Sequence, residues 1–187
     1  MKTRILALSL LVFSVAGVRA QSMDILGFYG DWQGADCTVL DQTPGLIVVY
    51  VFHQTSGATS VLFNATPPAC WTAILVGVVP VGDCGSRCSV PDALELLYGE
   101  CLSGTVHVAD LNFFGLGTTG PCCAYLPLPA AEVPSGRIEV VDCDGNIRYA
   151  IASPAIANPD ASCPCEPTIP VEETTWGRVK ALYSQAE

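Results

Sequence analysis

Residues 45–53 read GLIVVYVFH, and this stretch decides the fold. From Ile47 to Phe52 every residue is β-branched or aromatic. Such side chains lose rotamer freedom in a helix and pack well on a pleated sheet. The run shows no polar alternation, so it is expected to be a central strand covered on both faces.

The same reading spreads outward in both directions. Residues 23–29 (MDILGFY), 59–64 (TSVLFN), 71–79 (WTAILVGVV), 104–110 (GTVHVAD), 122–126 (CCAYL), 136–142 (GRIEVVD) and 147–152 (IRYAIA) are short apolar or alternating runs. Turn-rich residues separate them: QTSGA before the third run, and ATPPAC, whose Pro67 and Pro68 forbid helix, before the fourth. In RIEVVDCDGNIRYA, Asp144-Gly145 between two alternating runs predicts a tight hairpin of the primed type, which needs positive φ. About eight strands at this spacing predict an all-β, antiparallel sandwich. Residues 89–101, SVPDALELLYGEC, carry a competing signal. Ser89 as cap, Pro91 and Gly99 suggest two helical turns, while Leu94, Leu96 and Tyr98 alternate as a strand would.

The chain starts with a basic pair, Lys2 and Arg4, followed by an apolar run over residues 5–17 and Val18-Arg19-Ala20. That order predicts a secretory signal over residues 1–20, too short to span a bilayer. The first cysteine, Cys37, is far from the expected cut, so no lipid anchor is expected there. Removing Lys2, Arg4 and Arg19 leaves five basic residues against eighteen acidic ones, so the net charge falls from −10 to −13. A surface of that sign repels nucleic acid and anionic lipid, and no transmembrane segment follows the signal. The expected location is extracellular or at the cell surface, with the periplasm as the alternative.

Ten cysteines lie behind the signal: Cys37, Cys70, Cys84, Cys88, Cys101, Cys122, Cys123, Cys143, Cys163 and Cys165. In an oxidising compartment an even number predicts disulfides rather than zinc. Their connectivity is open. Cys122 and Cys123, being adjacent, are expected to take different partners.

No catalytic motif stands out. Gly-x-Ser-x-Gly is absent, and the two histidines, His53 and His107, lie in or beside strands. Asp142-Cys143-Asp144-Gly145-Asn146 mimics the start of a calcium loop, but the closing acid of that loop is missing and a turn explains each residue. GLGTTG lacks the Lys of a phosphate loop. Asn64-Ala65-Thr66 matches a glycosylation sequon. Tyr29, Trp32, Trp71 and Tyr125 are candidates for a carbohydrate or protein contact, or for the core. No cofactor and no metal are expected.

Organisation therefore reads as a signal over residues 1–20, a β-sandwich over 21–153, a Pro-rich linker over 154–171, and a tail over 172–187. In the tail, Thr174 or Thr175 is placed to cap a short helix. Trp176, Val179, Leu182 and Tyr183 then share one face, with Glu172 and Glu173 at the start and Arg178 and Lys180 beyond. About three turns do not hold alone in water, so that face needs something to dock on.

The ending VEETTWGRVKALY behind CPC resembles the C-terminal tails of exported, uncharacterised bacterial proteins from uncultured lineages. VYVFHQTSGATSVLF and IEVVDCDGN resemble the β-domains that carry such tails. The family has no established activity. The resemblance implies secretion and a β-domain, and it adds no catalytic residue. This chain departs from it by continuing SQAE after Tyr183. The expected function is a secreted or surface, non-enzymatic structural or interaction protein, exported or attached by machinery that reads the tail. The alternatives are a carbohydrate-binding β-domain and a hydrolase without a recognisable motif.

Overall fold

A computed structural model describes residues 23–84 and 92–165. The expected signal, Cys88, and the tail with Trp176, Val179, Leu182 and Tyr183 lie outside the described residues. The described residues form ten strands: β1 (Asp24–Tyr29), β2 (Thr38–Val39), β3 (Pro44–Phe63), β4 (Ile74–Pro80), β5 (Asp83–Cys84), β6 (Leu94–Leu116), β7 (Cys123–Tyr125), β8 (Ile138–Asp142), β9 (Ile147–Ser153) and β10 (Ala155–Ala157). Seven of them join in the order β1-β9-β8-β3-β6-β4, with β5 on β6, and β1 also pairs with β3. The circuit β1-β3-β8-β9 thus closes on itself, and the chain is an all-β sandwich.

Two long strands make the sandwich. The first half of β3 lies between β1 and the end of β6, and its second half lies between β8 and the start of β6. Each long strand passes from one layer to the other. QTSGA was expected to be a gap between two strands, but β3 runs through it. The ladder absorbs those residues as register shifts at Val51/Phe52, Thr55/Ala58 and Ala58/Ser60. Turn residues bend a strand instead of ending it when the same neighbour is paired on both sides of the bend. Leu94 to Gly99 resolve likewise. Pairing of Leu94, Leu96 and Leu97 with β3 takes the strand alternative, and no helix forms there.

The 142–146 hairpin is present, but its turn differs from the expected primed type. Only Gly145 has positive φ (82°), and its N–H donates to Asp142 O at 3.1 Å. Asp142 also spends its carboxylate on the loop, accepting from Asp144 N (2.9 Å) and Asn146 N (2.8 Å). Those hydrogen bonds, led by the Asn146 N–H, hold the Asp142 carboxyl below its ordinary range.

Among the described residues there are four disulfides: Cys37–Cys165, Cys70–Cys123, Cys101–Cys143 and Cys122–Cys163. Adjacent Cys122 and Cys123 do take different partners. Cys101–Cys143 passes over the bend in β3, where a Cβ on Gly57 would lie 3.1 Å from Cys143 Sγ. Gly57 also has φ 154°, a value that L side chains rarely adopt. Gly57→Ala is therefore expected to cost about 1–3 kcal/mol, read as a lower urea midpoint at unchanged slope.

Pairing also runs past residue 153. β10 sits in a second sheet, ordered β2-β10-β7, inside the stretch expected to be linker. Pro154 has no N–H, yet Ala155–Ala157 pair with both β2 and β7. Beyond them, Asn158 donates to Asp41 O (3.0 Å) and Thr119 O (2.8 Å). Buried Asp41 in turn accepts from Gly117 N (2.9 Å) and Thr119 Oγ1 (2.5 Å). These bonds and the Cys37–Cys165 bridge hold the chain to the body as far as Cys165.

The core lies between the layers. Leu26, Phe28, Val49, Val51, Phe63, Leu111, Phe113 and Val140 are buried there. Trp71 is its aromatic hub, stacked on Phe113 at 5.0 Å and edge-on to Tyr125 at 4.7 Å.

Candidate functional site: an uncovered apolar sheet face

Strand alternation sorts the first half of β3, the end of β6 and β4 into two faces. Ile47, Val49, Leu111 and Phe113 point inward and are buried, with Leu75 and Val78 packed against them. The other face carries Leu46, Phe114, Leu116, Ile74, Val76 and Val79, all large, apolar and exposed, from 43% for Leu116 to 69% for Leu46. Register brings them together. Leu46 pairs with Phe114, and Phe114 with Ile74, so one row crosses three strands. The next row is Val48, Asn112 and Gly77. Asp110, between Tyr50 and Val79, sets the margin, and its Oδ1 accepts a hydrogen bond from His107 Nε2 at 2.7 Å.

β4 ends the sheet order. Its sequence ILVGVVP holds no charge, and only the shift at Leu75/Gly77 and Pro80 blunt it as an edge. The face is not bare everywhere. Toward β1, residues 30–36 form a roof. Asp31 Oδ1 takes Ala35 N and Asp36 N, Gly34 lies against the Phe52 ring, and Tyr29 meets Phe52 edge-on at 5.4 Å. The roof covers Phe52 and leaves Leu46 open. The expectation that GLIVVYVFH is covered on both faces is therefore corrected. Its inner side is core throughout, whereas its outer side is covered only at the Phe52 end. A run that is apolar at every position shows no alternation, so it carries no signal of an open face.

A second cluster lies at the bend of β3. Tyr98 Oη is 2.7 Å from His53 Nδ1, His53 Nε2 is 3.7 Å from Asp24 Oδ1, and Arg148 reaches Asp24 at 3.3 Å. Arg148 also donates to Gly57 O, Ser56 Oγ and Thr55 Oγ1, which ties β9 to the bend. A hydroxyl, an imidazole and a carboxylate in line resemble a catalytic relay, but His53 is 0% exposed and no substrate reaches it. Burial, reinforced by the Arg148 charge, lowers the His53 pKa to about 4. Asp24 pulls the other way, but Arg148 already engages its carboxylate. Burial, then the Asp24 charge, pushes the Tyr98 hydroxyl far above its ordinary range. The ring is neutral at pH 7, and the cluster joins β1, β3, β6 and β9 at the bend.

Of the aromatics named for surface contact, Tyr29, Trp71 and Tyr125 are buried and only Trp32 is exposed, at 69%. Asn64 is held in a bridge with Leu128. Cys122 and Cys163, close to Asp160, use both sulfurs on their disulfide, and Asp160 accepts from Ser162 N at 2.7 Å. Among the described residues no helix is long and apolar enough to cross a membrane.

Fold and site together define a disulfide-stapled β-sandwich with an open apolar sheet face on β3, β6 and β4. No family model matches the chain, and no curated protein matches it. Solved structures that are similar to this chain include cohesin modules. One is the cohesin module from the Clostridium perfringens family 33 glycoside hydrolase, at TM-score 0.48 and 11% identity, covering 74% of this chain and 98% of that one. Another is the third ScaB cohesin of R. flavefaciens in complex with a group 1 dockerin, at 0.49 and 11%, covering 72% and 94%. A third is CaCohA2 from Clostridium acetobutylicum, at 0.44 and 14%, covering 77% and 95%.

Proposed function

We propose that this chain is a non-enzymatic, extracellular interaction module whose contact surface is the outer face of β3, β6 and β4. The observation that carries this reading is the Leu46–Phe114–Ile74 row, continued by Val76 and Val79 onto an uncharged edge strand. Contiguous exposed apolar surface of this kind marks a site of contact, because water is a poor neighbour for it. The disulfides suit an oxidising compartment. The sealed His53 cluster and the buried aromatics speak for contact rather than for hydrolysis or sugar binding.

The double variant Val76→Asp/Val79→Asp tests this. Both side chains are more than half exposed, so stability should change by less than about 1 kcal/mol. Two carboxylates in an apolar contact should weaken it at least about 100-fold, since each is desolvated without a partner. The measurement is chemical cross-linking in native cells, followed by size fractionation. Loss of the high-mass species with retained fold is the expected result, and an unchanged cross-linking pattern overturns the reading.

A further inference from the structure

Inside its Asp110 margin the β3-β6-β4 face holds no charge. From Leu46 across Phe114 to Ile74, and on along Val76 and Val79, every residue is apolar, and Asn112 is the polar residue of the central row. The chain as a whole has a net charge of −10. Two such acidic chains repel over most of their surface, because like charges brought together disfavour contact. On this strip they can meet without setting carboxylate against carboxylate. Asn112 suits the same partner. Its amide carries both donors and an acceptor, so it can pair with its own counterpart in a second copy.

Area agrees with charge. The six exposed side chains of the strip leave roughly 600 Å² of apolar surface open, at the top of what a free monomer carries. Two copies face to face bury about 1,200 Å² from those side chains alone, which reaches the range of stable interfaces before the partly buried Val48 and Tyr50 are added. A two-fold contact needs only one surface that matches itself. With the strands of the two copies antiparallel, the Asp110 margin of one copy lies toward the Leu116 end of the other, and the two carboxylates stay apart. Val76 and Asn112, midway along the strip, then lie beside the axis. A second apolar row, Ile147, Tyr149 and Ile151, is confined to β9 and is charged. Arg137 lies over the Tyr149 ring at 5.2 Å, and Glu139 pairs with Tyr149.

We propose that the outer face of β3, β6 and β4 meets the same face of a second copy of this chain, as an antiparallel two-fold dimer. This rests on reading that face as a contact surface, and it names the partner.

Sedimentation velocity of the purified, oxidised protein over about 1–200 µM tests it, with a dimer of micromolar or tighter dissociation constant expected. Val76→Asp/Val79→Asp should raise that constant at least about 100-fold with an unchanged circular dichroism spectrum. Val76→Lys/Val79→Lys should do the same alone. Mixing the two variants should restore a dimer, because Val76 of one copy lies beside Val76 of the other. A parent that stays monomeric throughout overturns the proposal, as does a dimer that survives Val76→Asp/Val79→Asp. A dimer lost in Ile147→Asp/Ile151→Asp also overturns it, because β9 is then part of the contact. So does failure of the mixture to re-form a dimer, because the face then meets some other surface. Cross-linking in cells separates the dimer from the reading on which it rests. If the purified parent is monomeric while Val76→Asp/Val79→Asp still abolishes the cross-links, the dimer falls and the contact surface stands, with a different protein as partner. If the parent is monomeric and the cross-links are unchanged in that variant, both fall.

Discussion

Trp71→Ala is expected to destabilise the protein by about 3–5 kcal/mol, the range for removing a buried indole. Trp71 is the ring on which the two halves of the core meet. It stacks on Phe113 of β6 and stands edge-on to Tyr125 of β7, which in turn lies 4.5 Å from the Phe28 ring of β1. Its neighbour Cys70 is bonded to Cys123, so the surrounding backbone cannot collapse freely into the space left. That constraint places the loss toward the upper end. A fall of roughly 10 °C in Tm, with loss of the near-ultraviolet dichroism of the aromatic cluster, is the result to look for. Trp71→Phe should cost far less. It keeps a ring on Phe113, and the Trp71 Nε1–H it removes is buried with no acceptor among the described residues. If alanine costs under about 1 kcal/mol, Trp71 is not the centre of the core.

Arg148→Met is the second large effect. Asp24 is 2% exposed, and Arg148 is the cation beside it. Removing one partner of a buried pair typically costs about 3–5 kcal/mol, and because Arg148 is itself partly exposed the expected loss is about 2–4 kcal/mol at pH 7.5. The variant should also change how stability responds to acid. His53 has an ordinary pKa of 6.5 when unfolded and about 4 in the folded protein. Between those values the unfolded chain binds the extra proton, so stability is full above pH 6.5 and falls as pH drops toward 4, by roughly 3 kcal/mol in all. Without the Arg148 charge, and with Asp24 unpaired 3.7 Å from His53 Nε2, the folded pKa of His53 should rise. The acid loss between pH 6.5 and 4 should then shrink. Urea midpoints at pH 7.5 and 4.5 for both proteins check this, and parallel losses would show that Arg148 does not act on His53.

Much of the architecture is legible in short stretches. The Ile47–Phe52 run, the alternation of residues 138–142 and 147–152, and the turn at Asp144-Gly145 depend on local sterics and side-chain period, which a few residues are enough to express. The hairpin needed correction only in its turn type. Other features depend on what lies alongside. QTSGA reads as a turn in isolation and becomes a bend because β6 pairs with β3 on both sides of it. Residues 155–157 look like linker and become β10 because β2 and β7 offer free edges. Candidate surface aromatics divided unevenly for the same reason. Tyr29, Trp71 and Tyr125 are as apolar in sequence as Trp32, and only packing separates them.

By itself the sequence determined the strand-forming segments and the acidic balance, because these follow from residue type and short-range pattern. Tertiary structure decided three things: which cysteines meet, where His53 is sealed, and which side of GLIVVYVFH is left open. Each depends on contacts between residues far apart in the chain. An apolar side chain carries the same sequence signal whether a roof, a partner or water lies above it.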